Sequence, residues 1–183
     1  YYASNSKIKT CNKIIESCKG VEHLEICIAH NFLMKETLKI ISQNMKNLKH
    51  LSLYESKNLY HSMTFESLES LEIKKILTKD DHKSWISLAA CCPKLKKVKF
   101  TIYSCQICLP IFPKDLKKLL KTCENLEELY IGAYFEITEE FIETILSSNH
   151  EKFWYIKIES NNYDEDVEAV KSFKNTKIRC EIV

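Results

Sequence analysis

The sequence predicts an α/β solenoid, in which successive strand–helix units stack and share one parallel sheet. Three observations predict this fold: a short apolar phrase recurs along the chain, its copies lie about 27 residues apart, and helix-type apolar patterns fill the intervals. A single strand–helix unit cannot bury its own apolar face, whereas stacked units share a continuous core. We therefore expect a curved parallel sheet on the concave side of the structure and helices on its convex side.

The strands are predicted by the recurring phrase, which reads Cys-x-x-Leu-x-x-Leu-x-Leu with aliphatic or aromatic substitutions. Its alternating apolar residues are typical of a strand that buries one face. The cysteine position is held, in chain order, by Cys18, Met45, Phe65, Cys92, Cys123 and His150. A weaker alternation at Ile178, Cys180 and Ile182 predicts one further strand after these six.

The helices are predicted by apolar residues at helical spacing between the strands. The expected buried sets are Leu38, Ile41 and Met45; Trp85, Leu88, Ala89 and Cys92; Leu116, Leu119, Leu120 and Cys123; Phe141, Ile142, Ile145 and Leu146; and Val167 with Val170. Helix starts are indicated by Asp80-Asp81, by Pro113 as a first helical residue, and by Thr138 followed by two glutamates. The chain is thus predicted to be one domain over residues 1–183, with about six repeats.

Residues 1–20 are predicted to form an amphipathic helix rather than a complete unit. The helix would bury Ile8, Cys11, Ile15 and Cys18. It is interpreted either as the end of a partial repeat or as an N-terminal cap.

Composition excludes several classes of function. The 27 Lys and Arg residues against 25 Asp and Glu residues give a formal charge of only +2, which argues against a nucleic-acid partner. With only two glycines, no glycine-rich phosphate-binding loop can be written. The longest uncharged stretch, from Phe100 to Pro113, is too short to span a membrane.

The cysteines indicate a compartment. The chain has nine, an odd number, and several lie at core spacing, where a free thiol behaves as a small apolar side chain. There is also no Asn-x-Ser/Thr acceptor for glycosylation. We therefore expect a reducing environment, in the cytoplasm or the nucleus.

The recurring phrase resembles leucine-rich repeats, and specifically the cysteine-containing subtype typical of the substrate-binding part of F-box proteins. The resemblance extends from about Ile8 to Val183. It implies a monomeric protein-recognition module that holds the substrate of a ubiquitin ligase. It also implies a cullin-type ligase adaptor as a partner, contacted through an F-box segment upstream of Tyr1, because no F-box is visible in this chain. The alternatives are a structural subunit or scaffold of a stable complex and, third, an RNA-associated subunit that uses lysine patches.

The predicted binding surface consists of the residues that alternate with the buried ones along each strand. Tyrosines mixed with both signs of charge are typical of protein interfaces. A solvated sheet face is the alternative interpretation. The candidate residues are His23, Glu25, His50, Ser52, Tyr54, Glu72, Lys74, Lys97, Lys99, Glu128, Tyr130, Tyr155 and Lys157.

A second candidate surface lies in the uncharged segment that follows Thr101. This segment occupies the longest interval between repeats, which predicts a loop at one end of a strand. Its residues either fold back on the core or form a partner-binding rim. The rim candidates are Tyr103, Ile107, Leu109 and Phe112.

No pattern of an enzyme or a metal site is present. There is no GxSxG or HExxH motif, and the lone Cys105-x-x-Cys108 lacks the second ligand pair that zinc requires. His23 and His50 occupy equivalent strand positions but have no obvious third ligand. The sequence therefore predicts a non-enzymatic protein without cofactor or metal.

Overall fold

The structure is a computed structural model that describes residues 13–27, 31–54, 63–74, 86–101, 113–132, 138–148, 150–159, 171 and 176–182. The predicted positions Ile8, Cys11, Trp85, Val167 and Val170, and the predicted helix start at Asp80-Asp81, lie outside these residues.

Seven parallel strands form one sheet, and their order in the sheet follows their order in the chain. The strands are β1 (His23–Cys27), β2 (His50–Tyr54), β3 (Ser70–Lys74), β4 (Lys97–Thr101), β5 (Glu128–Gly132), β6 (Tyr155–Glu159) and β7 (Arg179–Ile182). Helices with defined bounds lie between β1 and β2, between β4 and β5, and between β5 and β6. Each step along the chain advances the sheet by one strand. This confirms the predicted α/β solenoid with a leucine-rich-repeat type of architecture.

The register of the sheet aligns each copy of the recurring phrase with the next. Leu51 pairs with Leu24 on one side and with Leu71 on the other, and the same offset holds from β1 to β7. The inward residues of β2 to β6 are at most 1% exposed. Leu24 and Ile26 of the edge strand β1 are only partly buried, because an edge strand has a sheet neighbour on one side alone among the described strands.

Three helices have defined bounds: α1 (Asn31–Asn44), α2 (Pro113–Thr122) and α3 (Glu139–Leu146). Residues 13–17 and 86–89 are also helical. As predicted, Pro113 is the first residue of α2, where its missing N–H costs no hydrogen bond. The predicted burial of Leu146 is wrong: it is 37% exposed, because it ends α3 one position beyond the buried face that Ile145 completes.

A tight turn precedes each of the first six strands and has the same geometry every time. The backbone carbonyl of the cysteine position accepts a hydrogen bond from the N–H three residues later, at 2.9 to 3.4 Å. Before each of β1 to β5, the carbonyl of the preceding residue then accepts two N–H groups of the next unit, as Glu22 does from Lys49 and His50. The repeated phrase therefore specifies a hydrogen-bonded turn as well as a buried side chain.

At two of the copies, those of Cys92 and Cys123, the cysteine position provides a buried donor. The Cys92 thiol donates to the carbonyl of Leu88, and the Cys123 thiol contacts the carbonyl of Ala89 in the preceding unit. Burial raises the pKa of Cys123 to about 12 and that of Cys92 well above its ordinary value. Both thiols are therefore protonated and act as core side chains.

His150 replaces the cysteine in the last copy and makes comparable contacts. Its Nδ1 accepts from the N–H of Phe153 at 3.2 Å, and its Nε2 lies 2.8 Å from the carbonyl oxygen of Cys123. Because Nδ1 is an acceptor, Nε2 carries the proton and donates. An imidazole thus links two neighbouring turns, which explains why a polar residue is tolerated at this position.

Replacing the cap of α3 should have a measurable cost. The Thr138 hydroxyl accepts from the N–H of Phe141 at 3.2 Å, as an N-cap side chain does. We expect Thr138→Ala to lower the free energy of unfolding by about 1 kcal/mol, measured by urea denaturation. Thr122→Ala is the matched control, because the Thr122 hydroxyl donates only within its own helix. Equal effects of the two substitutions would contradict the capping role.

Candidate functional site

The outward residues of the seven strands form a continuous surface, which we call the polar face. It has three rows that follow the register of the sheet. The first row is His23, His50, Ser70, Lys97, Glu128, Tyr155 and Arg179. The second is Glu25, Ser52, Glu72, Lys99, Tyr130, Lys157 and Glu181. The third is Cys27, Tyr54, Lys74, Thr101, Gly132 and Glu159.

The structure places all thirteen candidates of the predicted surface in these rows. Their positions agree with the expected alternation, while their role in binding stays a prediction. One of them does not present itself to solvent as expected: Ser52 is only 6% exposed. Its hydroxyl donates to Glu72 at 3.2 Å, so Ser52 supports a neighbouring side chain.

Glu72 is the centre of a charged network that joins three strands. Its Oε1 accepts from Lys99 at 3.0 Å, and its Oε2 lies 3.6 Å from the Nζ of Lys74. The same Lys74 ammonium lies 2.8 Å from Glu25 on β1. The side chains of Glu72 and Lys74 are 22% and 17% exposed, respectively. These two side chains are therefore shielded from water more than those of an ordinary surface ion pair, whereas their partners Glu25 and Lys99 are 59% and 46% exposed.

The electrostatics of this network favour its charged form. Partial burial alone would raise the pKa of Glu72, but the hydrogen bond from Lys99 and the nearby ammonium groups outweigh it and hold that pKa below its usual value. The hydrogen bond to Glu25 raises the pKa of Lys74. Both groups are thus ionised at neutral pH and keep each other in place.

Aromatic rings and cations alternate across the second and third rows. The ammonium of Lys99 lies 4.8 Å from the ring centre of Tyr130, and that of Lys157 lies 5.5 Å from the same ring. Lys74 lies 5.2 Å from the ring centre of Tyr54. Cation–π contacts of this kind restrict the lysine side chains.

The two histidines of the first row lie side by side on β1 and β2. The ring centres of His23 and His50 are 5.1 Å apart, and Ser70 Oγ lies 3.4 Å from Nε2 of His50. Burial, the neighbouring His23 and the charge of Lys97 lower the pKa of His50, against the opposing influence of Glu72. Lys97 itself pairs with Glu128 at 2.7 Å.

The β6–β7 end of the polar face contains three residues that the sequence analysis did not select as candidates: Trp154, Arg179 and Glu181. Tyr155 donates through its hydroxyl to Glu181 at 2.8 Å, and Arg179 contacts the other oxygen of that carboxylate. Trp154 is 45% exposed, and its ring centre lies 5.5 Å from that of Tyr155. Arg179 and Glu181 could have been selected from the sequence, because they alternate with Ile178, Cys180 and Ile182. Residues between the inward positions of a strand face outward.

The remaining candidate features are the loop rim, the paired cysteines, metal sites and membrane-spanning helices. The rim candidates Tyr103, Ile107, Leu109 and Phe112, and the motif Cys105-x-x-Cys108, lie outside the described residues. Within the described ranges, no group of three or more His, Cys, Asp or Glu side chains could hold a metal ion. The helices of the described part are each too short or too polar to cross a membrane.

Comparison with known proteins finds matches among solved structures. None of the protein-family models and none of the curated proteins compared with the chain matches it. Among solved structures, the tropomodulin C-terminal domain of Caenorhabditis elegans is similar, with 10% identity, 91% of each chain covered and a TM-score of 0.42. The assignment of the fold to this chain rests on its own seven parallel strands and their register.

Proposed function

We propose that this chain is a non-enzymatic protein-recognition module that binds its partner on the polar face. The observation that carries the proposal is the set of tyrosines held among cations and carboxylates across the three rows of the polar face. Tyr130 lies between Lys99 and Lys157, Tyr54 lies beside Lys74, and Tyr155 lies beside Glu181. Tyrosine supplies a large contact area with few rotatable bonds, and ordered partners reduce the entropy lost on binding. This combination favours a protein partner over a small molecule.

Binding should depend on the polar face and not on the helices. We expect the double substitution Tyr130→Ala and Tyr155→Ala to reduce the amount of the main partner recovered with the tagged chain by about ten-fold or more. The measurement is quantitative mass spectrometry of native immunoprecipitates from cells that express the chain. Lys117→Glu on the exposed side of α2 is the control. Equal recovery with all three proteins would contradict the proposal.

Within this class, we propose the substrate-binding part of an F-box-type ubiquitin ligase receptor. The support is the resemblance of the recurring cysteine phrase to the repeats of those receptors. A scaffold subunit of a stable complex is the alternative, and the same immunoprecipitates distinguish the two. A cullin and its adaptor among the partners would support the receptor. Stoichiometric recovery within one complex that lacks a cullin would favour the scaffold.

We also propose a reducing compartment, the cytoplasm or the nucleus, as the site of action. The support comes from the six described cysteines, which are free thiols. Two of them, Cys92 and Cys123, are buried in the core at neighbouring turns. Imaging of the tagged endogenous protein, with a secretory-pathway marker as reference, tests this placement.

A further inference from the structure

One cation of the polar face differs from the others in its pairing. Four of the five have a carboxylate oxygen within 3.0 Å, the pairs being Lys74 with Glu25, Lys97 with Glu128, Lys99 with Glu72, and Arg179 with Glu181. Lys157 forms no ion pair within 4.0 Å with any carboxylate of the described residues. The surface therefore contains one ammonium that has no described carboxylate within ion-pair distance.

The neighbours of Lys157 explain this difference. In the register of the second row it lies between Tyr130 and Glu181. The carboxylate of Glu181 accepts from the Tyr155 hydroxyl on one oxygen and from Arg179 on the other. The ammonium of Lys157 instead lies over the ring of Tyr130. Both oxygens of Glu181 are thus engaged by Tyr155 and Arg179. The charge of Lys157 helps to lower the pKa of Glu181, but it acts from beyond ion-pair distance.

A partner that covers this region must supply a counterion. Lys157 is already partly buried, and removing the remaining water from an unpaired ammonium is unfavourable unless an anion replaces it. The adjacent Trp154 and Tyr155 are the kind of aromatic side chains that form the centre of interfaces. An interface centred on these rings would also desolvate Lys157, which lies two residues further along the same strand, at about 6.6 Å.

We propose that the polar face recognises a protein segment that places an Asp or Glu side chain on Lys157 and an apolar side chain against Trp154 and Tyr155. This inference rests on the proposed protein-recognition function and specifies the chemistry of the partner. The carboxylate receives a hydrogen bond from the Lys157 ammonium. The spacing between strand residues sets a distance of roughly 7 Å between the acidic and the apolar contacts of the partner.

The experiment uses a displayed library of random peptides, selected on the full chain. We expect the enriched peptides to contain an acidic residue close to an aromatic or aliphatic one. A synthetic peptide from the selection should bind the Lys157→Glu chain about ten-fold or more weakly than the parent. Lys117→Glu on α2 makes the same charge change on the other layer of the structure and should leave the affinity unchanged. Thermal unfolding of each variant verifies that it is folded.

A charge exchange makes the test specific. Replacing the acidic residue of the peptide by Lys should weaken binding to the parent chain and restore binding to Lys157→Glu. Enriched peptides without acidic residues, or an affinity that does not change with Lys157→Glu, would overturn the inference. If such peptides still lose affinity on Tyr155→Ala, the polar face remains the binding surface and only the inference fails.

Two other outcomes also count against the inference. Failure of the selection to yield any peptide that depends on the polar face would argue against both the inference and the proposed function. A random-sequence RNA oligonucleotide that binds through Lys157 with a steep dependence on salt would assign this lysine to phosphate recognition. That result would replace the acidic protein segment by a nucleic acid.

Discussion

Phe100→Ala is expected to lower the free energy of unfolding by about 3 to 5 kcal/mol. Phe100 lies in the inward row of β4, is 1% exposed, and is among the largest fully buried side chains of the chain. Its register neighbours are Ile73 and Ile131, so the cavity would open at the centre of the sheet. In a solenoid each unit is stabilised by its neighbours, so the loss should weaken the units on both sides. Urea denaturation monitored by circular dichroism measures the change.

Two control variants separate the cavity from other effects. Phe100→Leu keeps much of the volume and should cost only about 1 kcal/mol. Lys97→Ala changes the outward side of the same strand, where the side chain is 53% exposed, and should cost less than about 1 kcal/mol. If Phe100→Ala cost no more than Lys97→Ala, the core would not be continuous through β4.

The strands and their register could be predicted because one physical constraint repeats along the chain. A strand that buries one face must alternate, and a shift of one residue would expose every apolar side chain. The copies of the phrase at Leu24, Leu51 and Leu71 therefore had to align, and the structure aligns them. The start of α3 could be predicted from a local signal, because Thr138 is a good N-cap residue directly before two glutamates.

The side-chain network could not be predicted from the same pattern. Alternation places Glu72 and Lys99 opposite each other, but it does not determine that Lys74 is shared between Glu72 and Glu25. That choice depends on the rotamers of long side chains, which the sequence pattern does not specify. The low exposure of Ser52 could not be predicted from the alternation either, because its neighbours cover it although its backbone position faces outward.

The exposed Trp154 was not predicted for a different reason, since it is the residue just before a strand. The equivalent positions are charged in every preceding unit, in the order Glu22, Lys49, Glu69, Lys96 and Glu127. Two ion pairs join this series, Lys49 with Glu22 at 3.0 Å and Lys96 with Glu69 at 3.1 Å. An exposed tryptophan at the end of a series of charges is visible only after the units have been aligned residue by residue.

Glu72→Lys is expected to lower the free energy of unfolding by about 2 kcal/mol. The substitution removes the carboxylate that Lys99 and Lys74 approach and adds a third ammonium between them. Glu72→Gln keeps the size of the side chain and a hydrogen-bond acceptor, so we expect a loss of about 1 kcal/mol. Urea denaturation at neutral pH measures both. Glu124→Lys makes the same charge change at an exposed turn and should change stability by less than about 0.5 kcal/mol.

The pH dependence of stability tests the same network independently. The folded structure lowers the pKa of Glu72 below the ordinary 4.5, so the carboxylate binds a proton less readily in the folded state than in the unfolded state. Its stabilising contribution is therefore complete above about pH 4.5 and is lost as the pH falls through the lower, folded-state pKa. As the pH falls from 6 through the folded-state pKa of Glu72, the free energy of unfolding of the parent should fall more than that of Glu72→Gln. The difference in unfolding free energy between the two proteins should therefore narrow. A constant difference over the whole range would mean that the charge of Glu72 does not stabilise the fold, and that Lys74 and Lys99 are held by other contacts.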